Sequence, residues 1–115
     1  MLIRVDPTRD TPLFDQLAGS IRADIAAGVL SAGDRLPSAR DVATGLDVNL
    51  HTVLRAYQEL RDEGLVDMRR GRGAVVTDAA APLAALHGDV TALVERARAL
   101  GLNPETLASL IKEHR

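Results

Sequence analysis

No cysteine occurs in the 115 residues, so a disulfide framework, a thiolate zinc site and cysteine-based catalysis are all excluded. Tryptophan is also absent, and aromatics make up 2% of the chain, Phe14 and Tyr57 alone. That leaves no stacking platform for the splayed bases of RNA or single-stranded DNA. No apolar run is long enough to cross a bilayer, and the opening MLIRVDPTRD lacks the apolar segment of a secretory signal, so a soluble cytoplasmic protein is expected. His51, His87 and His114 are too scattered for a metal site, whose paired ligands usually share a helix face. No metal and no cofactor are expected.

Excess positive charge is missing as well: 14 Lys and Arg against 16 Asp and Glu give a formal net charge of −2. The average argues mildly against a polyanionic partner, because nonspecific DNA affinity comes from basic residues neutralising phosphates. Position matters more than the average. Arg35, Arg40, Arg55, Arg69, Arg70 and Arg72 fall in one stretch that also holds the turn signals.

The length suits one core with a short appendage. Residues 2–5 read as an extended lead-in. Thr11 is placed to cap a first helix that accepts Pro12 in its first turn. Its apolar positions Leu13, Phe14, Leu17, Ile21, Ile25 and Ala26 recur at spacings of three and four and form one stripe, and Gly28 ends it. LSAGDRLPS then breaks all periodicity. Ser38 opens a Ser-x-x-Asp pattern that can cap a short second helix, which carries Val42 and Ala43 inward and is expected to stop at Gly45. After the turn GLDV, Asn49 is placed to cap a third helix running to about Glu63. Val53, Ala56, Tyr57 and Leu60 line its inward stripe and leave Leu50, His51, Leu54, Arg55 and Gln58 outside. Past Gly64, LVDMRR and AVVT read as two strands joined through Gly71, Arg72 and Gly73.

Beyond Thr77, DAAAP marks the expected boundary between a domain over 1–77 and a helical segment over 78–115. Leu83, Leu86, Val90, Leu93, Ala97 and Leu100 alternate spacings of three and four, the seam pattern of helix pairing. Gly101 stops that helix, and Asn103 with Pro104 opens a last one bearing Leu107, Leu110 and Ile111. The seam predicts homodimerisation, with intramolecular packing as the competing use of the same face. The fold class expected is mainly α with a small β component. It consists of an N-terminal winged helix-turn-helix with a hairpin wing, followed by two short dimerisation helices.

Two short helices joined by a Gly-containing turn set the second steeply, so that its N-terminal half can enter a major groove. Asn49, Leu50, His51, Thr52, Leu54 and Arg55 are then the groove-facing candidates. Asn49, His51 and Thr52 suit base edges or phosphates, and Leu50 suits a thymine methyl. In the hairpin, Arg69, Arg70 and Arg72 flank glycines that let the backbone approach the duplex.

In order along the chain stand P-L-F-x-Q-L, G-x-L-x-x-G-D-R-L-P-S-x-R, N-x-x-T-V-x-R-A-Y-x-E-L, E-G-L-V and R-R-G-R-G. Across residues 11–77 this series resembles the DNA-binding domain of GntR-type regulators. The N-x-x-T-V-x-R-A-Y form and the short helical tail resemble the YtrA-like branch, whose tail dimerises. The resemblance implies DNA contacts at Arg40, at Asn49, His51, Thr52 and Arg55, and at Arg70, Gly71 and Arg72. It also implies a homodimeric regulator of double-stranded DNA, most often a repressor. Many relatives carry arginine where this chain has Leu50, so their operator preference does not transfer.

Two other classes stay open on the sequence. The acidic pI near 5.9 together with Leu50 and Leu54, taken as exposed, would suit a protein-interaction adaptor that keeps the fold without DNA affinity, and a small-molecule effector lodged between the tail helices and the winged domain would make a ligand-gated sensor. An enzyme is not expected: Ser38 has no histidine near it in sequence and is explained as a cap. The GRG turn lacks the lysine and the strand-to-helix setting of a phosphate loop.

Overall fold

A computed structural model describes residues 3–115; residue 2 of the expected lead-in lies outside that range. The elements run α1 (Leu13–Ala26), α2 (Ala39–Leu46), α3 (Leu50–Asp62), β1 (Val66–Arg69), β2 (Gly73–Val76), α4 (Ala80–Ala99) and α5 (Pro104–Glu113). The chain separates into two compact units, one ending at Ala84 and the other spanning Ala85–Arg115.

The first unit is a three-helix cluster closed by a hairpin. Leu17, Ile21 and Ile25 of α1 meet Val53, Ala56, Tyr57 and Leu60 of α3, with Val42 and Ala43 of α2 beside them, and Val66, Ala74 and Val76 of the hairpin complete the core. Each large aliphatic side chain removed from water here contributes about 1.5–3 kcal/mol. Ala80 is buried in the same core and Leu83 packs against it, which is why the first unit takes in the opening turn of α4.

Most helix ends follow the expected chemistry. Ser38 accepts the Asp41 amide at the start of α2, Asn49 accepts the His51 amide at the start of α3, and Asn103 accepts the Thr106 amide ahead of Pro104. These caps satisfy amides that the helix itself cannot. Two ends differ. Pro12 rather than Thr11 is the N-cap of α1, and no side chain caps it. The Thr11 carbonyl instead accepts from the Gln16 carboxamide at 2.8 Å. That buried carboxamide also donates to the Asp6 carbonyl at 3.0 Å and accepts the Asp6 amide at 2.6 Å, so it ties the N-terminal segment to α1. At the end of α2, Gly45 stays helical and the chain reverses at Asp47 (φ 53°, ψ 49°). A left-handed residue needs no glycine when a short polar side chain tolerates the conformation, and the Val48 amide closes onto the Ala43 carbonyl at 3.0 Å.

The segment read as irregular, around Gly33 to Leu36, pairs with the hairpin. The Gly33 amide donates to the Val76 carbonyl at 2.8 Å, the Val76 amide to the Asp34 carbonyl at 2.8 Å, and the Leu36 amide to the Ala74 carbonyl at 2.9 Å. The β2 strand is therefore flanked on both sides, by β1 in antiparallel register from Val66 opposite Val76 to Arg69 opposite Gly73, and by this short bridge. The turn of the hairpin is Arg70-Gly71-Arg72, one residue earlier than the sequence suggests. Gly71 and Gly73 take φ of 79° and 72°, values that a side chain would strain.

In the second unit the expected seam does not form one buried stripe. Ala97 is buried and lines an apolar cleft with Val94, Leu102 and Leu107, whereas Leu86, Val90, Leu93 and Leu100 are 44–67% exposed. Leu110 and Ile111 of α5 are exposed as well. No helix among the described residues is long and apolar enough to cross a membrane.

Candidate nucleic-acid interface

Three groups of sequence-predicted residues lie on three elements of the first unit. Arg40 is exposed in the first turn of α2, two residues after the Ser38 cap. Asn49 and the opening turns of α3 carry the second group: Asn49, His51 and Arg55 are exposed and Thr52 is half-buried. The third is the hairpin tip, where Arg70, Gly71 and Arg72 are all exposed.

Helix α3 is held by its inner face and by a hydrogen bond that the periodicity does not announce. The Tyr57 hydroxyl donates to the Pro37 carbonyl at 2.6 Å, fixing α3 against the residue that precedes the α2 cap. Burial pushes the Tyr57 hydroxyl up to about 12 from its ordinary 10.0, because the phenolate would lose its hydration. At the other end of α3, Arg22 of α1 grips Glu63 with two bonds, at 2.7 and 3.2 Å. The pair is partly solvated, so it helps orientation more than stability.

Two side chains expected outside α3 are drawn in. Leu50 is half-buried and packs against the core, and Leu54 is half-buried too. Leu46 at the end of α2 and Val48 of the following turn pack against the same core, and Leu50 joins them. Asn49 also has less to offer than its formula suggests, since its carboxamide oxygen already accepts the His51 amide at 2.8 Å, which leaves the NH₂ group as its uncommitted donor.

Among the described residues, Arg40, Arg55, Arg70 and Arg72 enter no ion pair; the pairs present join Arg22 to Glu63, Arg61 to Asp62 and Arg69 to Asp67. Arg69 is therefore partly committed to a neighbour at 3.5 Å. Two partnerships escape the sequence reading. Arg35 donates from Nε to the Arg72 carbonyl at 2.9 Å, bracing the wing tip from the bridge segment. The Arg55 guanidinium lies over the Phe14 ring, 3.7 Å from its centroid. Neither partnership has a sequence signal, because both join positions that only the tertiary fold makes adjacent.

A capped helix-turn-helix followed by a braced two-stranded wing defines the winged helix-turn-helix class of DNA-binding transcription regulators. The chain belongs to the gntR family of bacterial regulatory proteins, whose profile matches residues 13–76. It is 33% identical to the HTH-type transcriptional repressor YtrA of Bacillus subtilis over 119 aligned residues, covering 97% of this chain and 91% of that one. It is 40% identical over 100 residues to the HTH-type transcriptional regulator Rv1152 of Mycobacterium tuberculosis, covering 87% and 83%. Among solved structures, YtrA of Sulfolobus acidocaldarius, a GntR-family transcription factor, superposes with a TM-score of 0.64 at 35% identity, covering 86% of this chain and 99% of that one. The likeness to these relatives runs past the winged domain into α4 and α5, which puts the chain in the YtrA-like branch.

Proposed function

We propose that this regulator binds a palindromic operator in double-stranded DNA as a cytoplasmic homodimer and represses the promoter it occupies. The observation that carries the reading is the disposition of charge on the first unit: Arg40 at the start of α2, Arg55 in α3, and Arg70 and Arg72 at the wing tip carry no carboxylate partner among the described residues. Unpaired guanidiniums suit phosphates and guanine edges, which they meet with two parallel bonds. In this reading α3 lies in the major groove, with Asn49, Leu50, His51, Thr52 and Arg55 at its forward end. Arg40 contacts the backbone beside it, and Arg70, Gly71 and Arg72 hold the flanking groove. Leu50 offers only the part of its side chain that the core leaves open.

Dimerisation is supported by the second unit. Leu86, Val90 and Leu93 are exposed on α4, and Leu100 is exposed just past its end; an apolar stripe of this kind favours a partner. A second copy supplies the same stripe by two-fold symmetry and places two reading heads on one site. Leu83 and Ala97 are the members of the predicted seam that the single chain itself covers. Residues 1–77 act in this reading as the DNA-binding part and residues 78–115 as the dimerisation part. The adaptor alternative loses its apolar motive, since Leu50 and Leu54 are half-buried and not the exposed pair it requires; its other motive, the net negative charge, is an average that leaves the arginines above unpaired. A small-molecule effector is not needed for this reading.

The test is a gel shift and footprint on the DNA just upstream of the coding sequence. A two-fold-symmetric footprint is expected, with affinity that falls steeply with salt by a slope near 0.9 per phosphate contacted. Arg40→Ala and Arg72→Ala should each weaken binding and reduce that slope by about one. Affinity insensitive to salt, or no footprint at low salt, would overturn the proposal.

A further inference from the structure

Arg55 occupies an exposed position of α3, yet its guanidinium is not free to wander. Its central carbon stands 3.7 Å from the centroid of the Phe14 ring, and Phe14, half-buried in the first turn of α1, packs in turn against the core. The ring is thus a fixed platform. Among the described residues the guanidinium has no ion pair, and a guanidinium over a ring face spends none of its five N–H donors. The arrangement holds the charge while leaving its hydrogen-bonding edge unused. An arginine held this way has already lost part of the rotamer freedom that it would otherwise lose on meeting a ligand.

We infer that Phe14 is a positioning residue for DNA binding, presenting the Arg55 guanidinium to a phosphate of the duplex backbone. This rests on the DNA-binding reading above. The ring touches no nucleotide itself; it acts through Arg55. Leucine at position 14 would keep the apolar contact with the core but lose the π face. Tyrosine would keep both.

The full chain is titrated with a short mixed-sequence duplex at low salt, which probes backbone contacts without needing the operator. Arg55→Ala is expected to weaken binding about tenfold and to lower the salt slope by about one. Phe14→Leu should weaken it about three- to fivefold, the equivalent of one surface cation–π contact, and Phe14→Tyr should match the parent. In the Arg55→Ala background, Phe14→Leu should cost nothing further. An equal loss from Phe14→Leu in both backgrounds would show a purely structural ring and overturn the inference. So would parental affinity in Phe14→Leu or Arg55→Ala while Arg72→Ala still weakens binding, an outcome that spares the DNA-binding reading. A parent chain that fails to bind the duplex at low salt overturns both.

Discussion

Replacing Tyr57 by phenylalanine removes one oxygen atom and the bond that ties α3 to the approach of α2. The lost hydrogen bond, 2.6 Å from hydroxyl to the Pro37 carbonyl, contributes about 1 kcal/mol net, because the carbonyl can turn to water once it is released. For a domain this small that lowers the melting temperature by about 4–8 °C. The effect then changes sign with pH. The hydroxyl titrates near 12 in the folded chain against 10.0 in the unfolded one, so below pH 10 both states hold the proton and the bond contributes fully. Between pH 10 and 12 the unfolded state releases its proton first, and the parent loses roughly 2 kcal/mol relative to a variant that cannot ionise. The Tyr57→Phe variant should therefore be less stable than the parent at neutral pH and more stable than it above about pH 11. Urea unfolding of both proteins across this range measures the difference. Since the chain has one tyrosine and no tryptophan, tyrosinate absorbance reports the ionisation of Tyr57 alone. A stability difference that stays flat from pH 9 to 12, or equal stability at neutral pH, would refute the assignment of this hydroxyl as buried and bonded.

Leu93→Asp puts a charge into the exposed stripe of α4 and should convert the dimer to a monomer in sedimentation, with tight operator binding lost; a monomer with full operator affinity would sink the dimer reading. Asp47→Gly relieves a side chain held at φ 53° and should raise stability by up to about 1 kcal/mol in urea unfolding, since glycine adopts that conformation without a Cβ penalty. A loss of stability there would show that the Asp47 side chain makes a contribution not visible in its contacts.

Local chemistry was the legible part of the sequence. Ser38, Asn49 and Asn103 cap the helices they were expected to cap, because a side-chain oxygen next to an apolar period depends on few neighbours. The inward stripe of α3 follows for the same reason. Gly45 misled because it is a plausible stop with the true one, Asp47, two places on, and either residue tolerates a left-handed turn. Thr11 misled because its carbonyl, not its hydroxyl, carries the local bonding, and the group that recruits it is the side chain of Gln16. The bridge from Gly33 to Leu36 is too short to show alternation, and its partner lies about forty residues away.

The candidate site divides along the same line. The arginine positions were readable from the motifs, whereas the partners that hold them, Phe14 beneath Arg55 and Arg35 beside Arg72, were not. The seam was readable as a face but not as an assignment: spacing places Leu83, Leu93 and Ala97 along one stripe, and only packing decides which of them the chain covers for itself.

The flanking of β2 on both edges has a consequence for the thermodynamics of docking. A lone two-stranded hairpin is marginal in water and would have to be ordered along its whole length when it met a ligand. Here the base of the wing is already locked by amides that should exchange with solvent only when the unit opens, and the stretch outside the strands shrinks to residues 70–72, where the Arg72 amide still donates to the Arg69 carbonyl at 3.1 Å. At about 1–2 kcal/mol of backbone entropy per residue fixed, confining disorder to that tip, itself tethered at Arg72 by Arg35, spares most of the ordering cost of a free hairpin. Exchange should accordingly rise sharply at Arg70 and fall again by Ala74, a profile set by the strand on the far side of the sheet rather than by the tip itself.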